Sequence, residues 1–244
     1  MESISHLEER YGEITDQQDM IDVLANAISE LGFKKYSYLN SSQPGRGISE
    51  TIEPLFLTNY PDEWRKRYLW KNYHLNDPVS VLGKKSRLPF IWGSDSFLKK
   101  FGSDQKIVFY EAREFGVVSG FTIPVHGPNG DCGLFTVASR DTDENFREAI
   151  IEYGERLQIL GLHAHSLCMT KLARRIKCDE VILTAREKEC LLWTAQGKTS
   201  AEIASIINRS TPTINYHLQK AMKKLDSVNK YQAVMKAYER NLFH

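Results

Sequence analysis

From Asp16 to Leu31 apolar residues recur at helical spacing: Met20, Ile21, Leu24, Ala27, Ile28 and Leu31 share one face, and Gly32 supplies a stop. Phe33 to Leu39 alternates as a strand does. Residues 41–47, Ser-Ser-Gln-Pro-Gly-Arg-Gly, read as a loop, and a second extended stretch follows near Thr51 to Thr58. Pro61 suits the first position of a helix reaching about Tyr73, and Asp77-Pro78 breaks the chain. A helix near Ser103 to Phe115 leads into two strands, Gly120 to His126 and Cys132 to Ser139. Between them Gly127-Pro-Asn-Gly-Asp131 carries the Asn-Gly centre of a hairpin turn. A long helix from about Asp143 to Cys168 follows. Helices and strands mixed in this way predict an α/β/α sandwich around a mostly antiparallel sheet.

Beyond Cys168 the pattern changes. Met169 to Glu180 is short, basic and weakly patterned, and everything after it is helical. Residues 1–168 therefore read as one domain, 169–180 as a linker, and 181–244 as a second, all-α domain of four helices, making the whole chain α+β. Thr184-Ala-Arg-Glu187 is a capping box opening a helix that Gly197 ends. A second helix spans 200–207, and Asn208-Arg209-Ser210 is a tight connection. Thr211 is then an N-cap with Pro212 at the first helical position of a third helix reaching about Leu225, and Asn229 caps a fourth through Tyr238. Two short helices joined by a tight turn are helix-turn-helix geometry.

Composition narrows the field. Hydrophobic residues at 41% and charged residues at 26% suit a globular chain, and no apolar run approaches the ~18 residues of a membrane span. The opening MESISHLEERYGE has no apolar signal core, so the expected compartment is the cytoplasm, without a membrane partner. The four cysteines, at 132, 168, 178 and 190, have neither Cys-x-x-Cys nor zinc spacing, so no metal is expected. Net charge of +1 hides an asymmetry: residues 171–244 hold 14 Lys and Arg against 7 Asp and Glu, leaving 18 against 24 for the rest. A basic tail on an acidic body points to a polyanion partner for the tail.

On the third C-terminal helix Ile214, Leu218, Ala221, Met222 and Leu225 fall on one face, and Asn215, Tyr216, Gln219, Lys220, Lys223 and Lys224 on the other. Asn215 and Gln219 offer the paired donor and acceptor that match an adenine edge. Thr213, His217 and the lysines suit phosphates, which position a protein without reading sequence. A solvated face of an ordinary four-helix bundle has the same look, and spacing alone leaves both readings open. The segments Leu-Thr-Ala-Arg-Glu-Lys-Glu-Cys-Leu, Trp-Thr-Ala-Gln-Gly-Lys-Thr, Glu-Ile-Ala, Thr-Ile-Asn-Tyr-His and Asn-Lys-Tyr-Gln-Ala-Val closely resemble the luxR-type DNA-binding domain, without a gap over residues 181 to 243. The resemblance implies double-stranded operator DNA as partner. The family often has Asn where this chain has Lys220, and rarely Pro where it has Pro212; both bear on the target sequence rather than on DNA binding.

One N-terminal stretch is unusually aromatic, running from Tyr60 through Trp64, Tyr68 and Trp70 to Tyr73, with Asp77-Pro78 and Pro89-Phe-Ile-Trp92 after it. Trp64 and Tyr68 are one helical turn apart. Such residues can line an apolar cavity bearing a few placed polar groups. They equally suit core packing with Asp77 as a cap, and spacing does not separate the two. Residues 18 to 165 are similar to the autoinducer-binding domain of quorum-sensing regulators, with Trp64, Tyr68, Asp77, Pro78, Trp92 and Gly120 at its signature positions and Glu187, Leu191 and Gly197 at those of the second domain.

That resemblance implies an N-acyl-homoserine lactone as signal ligand and no cofactor. Trp64 would donate to the lactone carbonyl, Asp77 accept the amide N–H, and Tyr60 donate to the amide carbonyl. Tyr68 and Trp92 would wall the lactone, and Thr136 contact the start of the acyl chain directly or through water. It further implies a homodimer, to which the long helix 143–168 would contribute, and RNA polymerase as a further partner. The alternative is a regulator of the same build sensing another small molecule. A phosphorylated response regulator needs an acidic pair after its first strand, and here that strand ends in Leu39-Asn40-Ser41. No Gly-x-Ser-x-Gly, Walker A or His-Glu-x-x-His motif is present, and no enzyme is expected.

Overall fold

A computed structural model describes residues 14–40, 54–127, 131–140, 144–172, 181–240 and 242–243. The described residues up to 172 form one compact unit and those from 181 onward another. No helix among them is long and apolar enough to cross a membrane.

The first unit is built on an antiparallel sheet of five strands among the described residues: β1 (Lys35–Asn40), β2 (Leu55–Thr58), β3 (Phe90–Trp92), β4 (Ser119–His126) and β5 (Cys132–Ser139), in the order β2-β1-β5-β4-β3. Strand alternation sends successive side chains to opposite faces. Tyr36 and Tyr38 on β1, Phe121, Ile123 and Val125 on β4, and Phe135 and Val137 on β5 form one core with α1 (Gln17–Glu30) and α7 (Glu144–Leu167). Leu39, Phe56, Trp92, Leu134 and Ala138 belong to a second core on the other face, with α2 (Asp62–Trp70), α4 (Pro78–Lys85), α5 (Asp95–Leu98) and α6 (Ser103–Glu114). The architecture is the α/β/α sandwich the hydrophobic pattern predicts.

Local chemistry sets the element ends. Asp16 opens α1 with a full capping box, and Met20, Leu24 and Ile28 on its inner face are 0–1% exposed, each burial stabilising by ~1.5–3 kcal/mol. Pro61 is the N-cap of α2 rather than its first helical residue. The single helix expected to Tyr73 is two, because Asn72 adopts a left-handed φ of 52° between α2 and the short α3 (Tyr73–Asn76). Asp77-Pro78 does break the chain, and it also starts α4: Asp77 caps it and Pro78 takes the first position. The strand β3 and the helices α4 and α5 are too short to show a period in the sequence. Gly120 is required by close approach, since a Cβ there would sit 2.3 Å from the Trp92 ring and 2.8 Å from the Val137 carbonyl oxygen. The loop 41–47, the hairpin centre 128–130 and residues 173–180, with Cys178, lie outside the described residues.

On the face away from the second core, the Tyr38 hydroxyl lies 2.8 Å from His165 Nδ1 and His165 Nε2 lies 2.9 Å from Asp131 Oδ2. This buried chain ties β1 and the start of β5 to the last turn of α7. A π-helical turn, Cys168–Leu172, continues from that helix.

The second unit contains α8 (Ala185–Ala195), α9 (Ser200–Ile206), α10 (Thr211–Lys224) and α11 (Lys230–Glu239). Thr184 and Thr199 each open a helix with a reciprocal capping box, and Gly197 turns the chain with φ 83°. The N-cap of α10 is Ser210, not Thr211, which moves Thr211 to the first helical position and Pro212 to the second; Pro is tolerated there because the first turn's N–H groups have no helical acceptor. Leu191, Ile203, Ile214, Ala221, Leu225, Ala233 and Ala237 are fully buried between the four helices.

Candidate functional site

Between the second face of the sheet and α2, α4 and α6 lies a cavity. All six residues singled out from the sequence line it: Tyr60, Trp64, Tyr68, Asp77, Trp92 and Thr136. They come from five separate places in the chain, so the fold, not chain proximity, brings them together. The remaining wall is Ser37, Leu39, Phe56, Val79, Ser80, Val108, Phe109, Ala112, Val117 and Leu134, none of which the sequence reading named as a ligand contact. Alternation in β1 would have put Ser37 and Leu39 on one face. Nothing local marks Ser80 or Val117.

The polar groups are few and placed. Asp77 Oδ1 accepts the Val79 amide at 2.9 Å, and Oδ2 accepts the Tyr68 hydroxyl at 2.8 Å. Ser80 Oγ stands 3.3 Å from the same hydroxyl. Burial pushes the Asp77 carboxyl up to about 6, against the pull of these two hydrogen bonds. Burial likewise raises Tyr68 and Tyr60, the latter against an opposing pull from Ser37. Trp64 is 2% exposed, and its interactions are ring contacts: stacked on Phe115 at 5.6 Å, tilted against Tyr73, edge-on to Tyr68 at 5.8 Å. Its indole N–H thus has no hydrogen-bond partner among the described residues. Trp92 differs, for its N–H donates to Thr122 Oγ1 at 2.9 Å, and Thr122 lies 2.8 Å from Thr136 Oγ1.

The wall formed by α2 and α6 is strapped on its outer side. Lys71 pairs with Glu111 at 2.6 Å and Arg67 with Glu114 at 3.2 Å, while the Arg67 guanidinium sits 4.9 Å over Phe115. Among the described residues no cluster of His, Cys, Asp and Glu could hold a metal ion.

In the second unit α10 buries Ile214, Leu218 and Ala221 and leaves Asn215, Tyr216, Gln219, Lys220 and Lys223 exposed. Thr213 and His217 are half-buried, and the Thr213 hydroxyl is engaged with Ser210 Oγ at 2.8 Å. Lys220 lies 5.6 Å over the Tyr216 ring. Lys224, grouped with this face by spacing, turns away: its Nζ donates to Glu187 Oε2 at 2.7 Å and to the Ile182 carbonyl at 3.0 Å. Burial alone would raise the Glu187 carboxyl, but Lys224 and the Thr184 amide outweigh it and hold the group below the usual range.

Residues 16–167 match the autoinducer binding domain, and residues 181–237 match the bacterial regulatory proteins of the luxR family. The chain belongs to the luxR family. Within it, the transcriptional activator protein VanR of Vibrio anguillarum is 34% identical over 97% of this chain and 96% of its own length. The quorum-sensing regulator RhlR of Pseudomonas aeruginosa is 31% identical over 89% and 86%. A solved structure of SdiA in complex with octanoyl-rac-glycerol superposes with a TM-score of 0.75 at 25% identity, covering 99% of this chain and 95% of that one. This luxR-family chain is thus a quorum-sensing transcription regulator: the unit containing the cavity is its autoinducer-binding domain, and the unit containing α10 its helix-turn-helix domain.

Proposed function

We propose that the cavity binds an N-acyl-homoserine lactone and that α10 reads operator DNA in the major groove. The reading is carried by one pairing of opposites: Trp64, a buried donor with no acceptor among the described residues, and Asp77, a carboxylate with spare lone pairs, line the same cavity. A lactone carbonyl satisfies the first and an amide N–H the second, and a buried carboxylate is tolerable only when so paired. Tyr60 donates to the amide carbonyl, Tyr68 and Trp92 enclose the ring, and Thr136 meets the start of the acyl chain. In the second unit Asn215 and Gln219 contact base edges, while Thr213, Tyr216, His217, Lys220 and Lys223 anchor the helix to phosphate and sugar. The sensor occupies residues 1–168, the linker 169–180 and the DNA-binding domain 181–244. The protein works as a homodimer, since one such headpiece offers few base contacts and paired half-sites multiply them.

The competing ligand class is an acylated glycerol, because the SdiA structure was solved with octanoyl-rac-glycerol. Mass spectrometry of a solvent extract from protein expressed beside a panel of lactones decides between them. A retained lactone at one ligand per sensor domain is the expected result. An acyl glycerol retained in its presence would replace the lactone reading.

A further inference from the structure

The one polar group of Trp64 lies in the plane of its ring, and its contacts among the described residues are with other rings, so packing sets where the N–H points. Two of those rings are local. Tyr68 is on α2 with it and Tyr73 opens α3 just after, at interplanar angles of 68° and 37°. The third, Phe115, comes from elsewhere in the chain, at the C-cap of α6, and stacks on the indole at 5.6 Å and 29°. A near-parallel neighbour resists tilting of the indole plane more than an edge-on one does. Phe115 is not part of the cavity lining, so it acts on Trp64 from behind.

Phe115 is itself held twice. The Arg67 guanidinium lies 4.9 Å from its ring centroid, and Arg67, one turn after Trp64 on α2, is kept there by Glu114 at 3.2 Å. On the backbone, Lys35 of β1 donates from Nζ to the Phe115 carbonyl at 2.6 Å and to the Gly116 carbonyl at 2.9 Å. A helix C-terminus leaves carbonyls unanswered and favours a cation, so the tether sits where it is most effective. Gly116 turns the chain with φ 69°, and a Cβ there would stand 2.9 Å from Lys35 Nζ. Lys35 begins the strand whose Ser37 and Leu39 line the cavity. The sheet wall thus fixes the end of α6, and the end of α6 fixes the plane of Trp64.

We propose that Phe115 is a positioning residue, tethered to β1 by Lys35, that holds the Trp64 indole with its N–H on the lactone carbonyl, so that recognition of the ligand's head depends on two side chains outside the cavity. This rests on the lactone reading of the cavity. Hydrogen bonds weaken steeply as their angle closes, and a binding group keeps its angle only when its rotamer is locked from behind. With Phe115 cut back, Trp64 still closes the cavity, but its N–H can swing off the carbonyl. That one bond weakens while the amide and acyl contacts stay.

The test compares, on the full chain and at several acyl lengths, an N-acyl-homoserine lactone with the matching N-acyl cyclopentylamide, which keeps the amide and a five-membered ring but lacks the lactone carbonyl. The wild type favours the lactone by about tenfold, the scale of one buried neutral hydrogen bond, and Trp64→Phe removes the preference. Phe115→Leu lowers the preference through the lactone alone, and Phe115→Tyr, which keeps the stacked ring, retains it. Lys35→Met lowers it with every ring in place, and serves also if the leucine variant does not fold. With 5-fluorotryptophan in the chain, the Trp64 fluorine resonance, assigned by its loss in Trp64→Phe, moves or broadens in Lys35→Met. If Phe115→Leu weakens both compounds alike, or neither, Phe115 is structural and the proposal falls. An unchanged ratio and an unmoved resonance in Lys35→Met overturn the tether. Equal wild-type affinity for the two compounds takes the carbonyl away from Trp64 and the positioning role with it, leaving a ligand held through its amide. Binding of neither at any length removes the lactone reading itself.

Discussion

Asp77 does separate work with each of its oxygens: Oδ1 caps α4 through the Val79 amide, and Oδ2 holds the Tyr68 hydroxyl at the cavity wall. Asn is as good a cap as Asp, so Asp77→Asn keeps the helix start while removing the charge. Loss of a charge-assisted hydrogen bond costs ~1.5–3 kcal/mol, and lactone sensitivity is expected to fall roughly ten- to a hundredfold. A dose–response curve matching wild type would leave Asp77 a cap and nothing more. The same carboxyl makes binding pH-dependent. Its value in the folded chain is raised to about 6 from an ordinary 3.8, so the folded, ligand-free state holds the proton more tightly than the unfolded chain. This group therefore costs no stability below its ordinary value and its full cost above about 6. Ligand binding has the opposite sign, because an amide N–H needs the ionised oxygen. Under the proposed pairing, lactone affinity is expected to be full above about pH 6 and to decline as pH falls through that value. Titrations at a series of pH values spanning it should show the decline in wild type and none in Asp77→Asn; a flat wild-type profile contradicts the pairing.

At the scale of the element, three polar residues on α10 that share one face by spacing are expected to have different tasks. Gln219 is exposed one turn after Asn215, and Lys223 one turn further. Gln219→Ala is expected to cost ~1–3 kcal/mol on the cognate operator and little on scrambled DNA. Lys223→Ala weakens both alike and lowers the salt slope by ~1 per protomer. Lys224→Met leaves that slope unchanged, because Nζ is committed to Glu187, and instead destabilises the helical unit. The buried-pair cost, discounted because Lys224 is itself 36% exposed, comes to roughly 1–2 kcal/mol. Titrations of each variant against both duplexes at several salt concentrations, with melting curves alongside, separate the three. A reduced salt slope in Lys224→Met would put that side chain on phosphate after all.

For the whole molecule, a ligand bound only by the folded state stabilises it by RT ln(1 + [L]/Kd), ~2.7 kcal/mol at a hundred times Kd. The cognate lactone is expected to raise the melting temperature of the cavity-bearing unit, and the ring-opened acyl homoserine to leave it in place. Equal shifts from both would take the lactone carbonyl away from Trp64. What the sequence determined by itself is what short-range chemistry encodes: the amphipathic face of α1, the alternation of β1, β4 and β5, the Thr184 box, the Gly197 stop. Each depends on residues within a turn or a pleat of one another. The resemblance to known regulators added the six side chains that the fold gathers around one cavity, which periodicity could not separate from ordinary core. Only the tertiary structure broke the helix after Trp70 at Asn72, brought Ser37, Thr136 and Thr122 into one row through strand register, and placed Val108 and Phe109 of α6 in the same cavity wall as Trp64. It also turned Lys224 from the surface of α10 onto Glu187, 37 residues away. Contacts of this kind depend on how strands align and helices dock, and no local pattern along the chain carries that information.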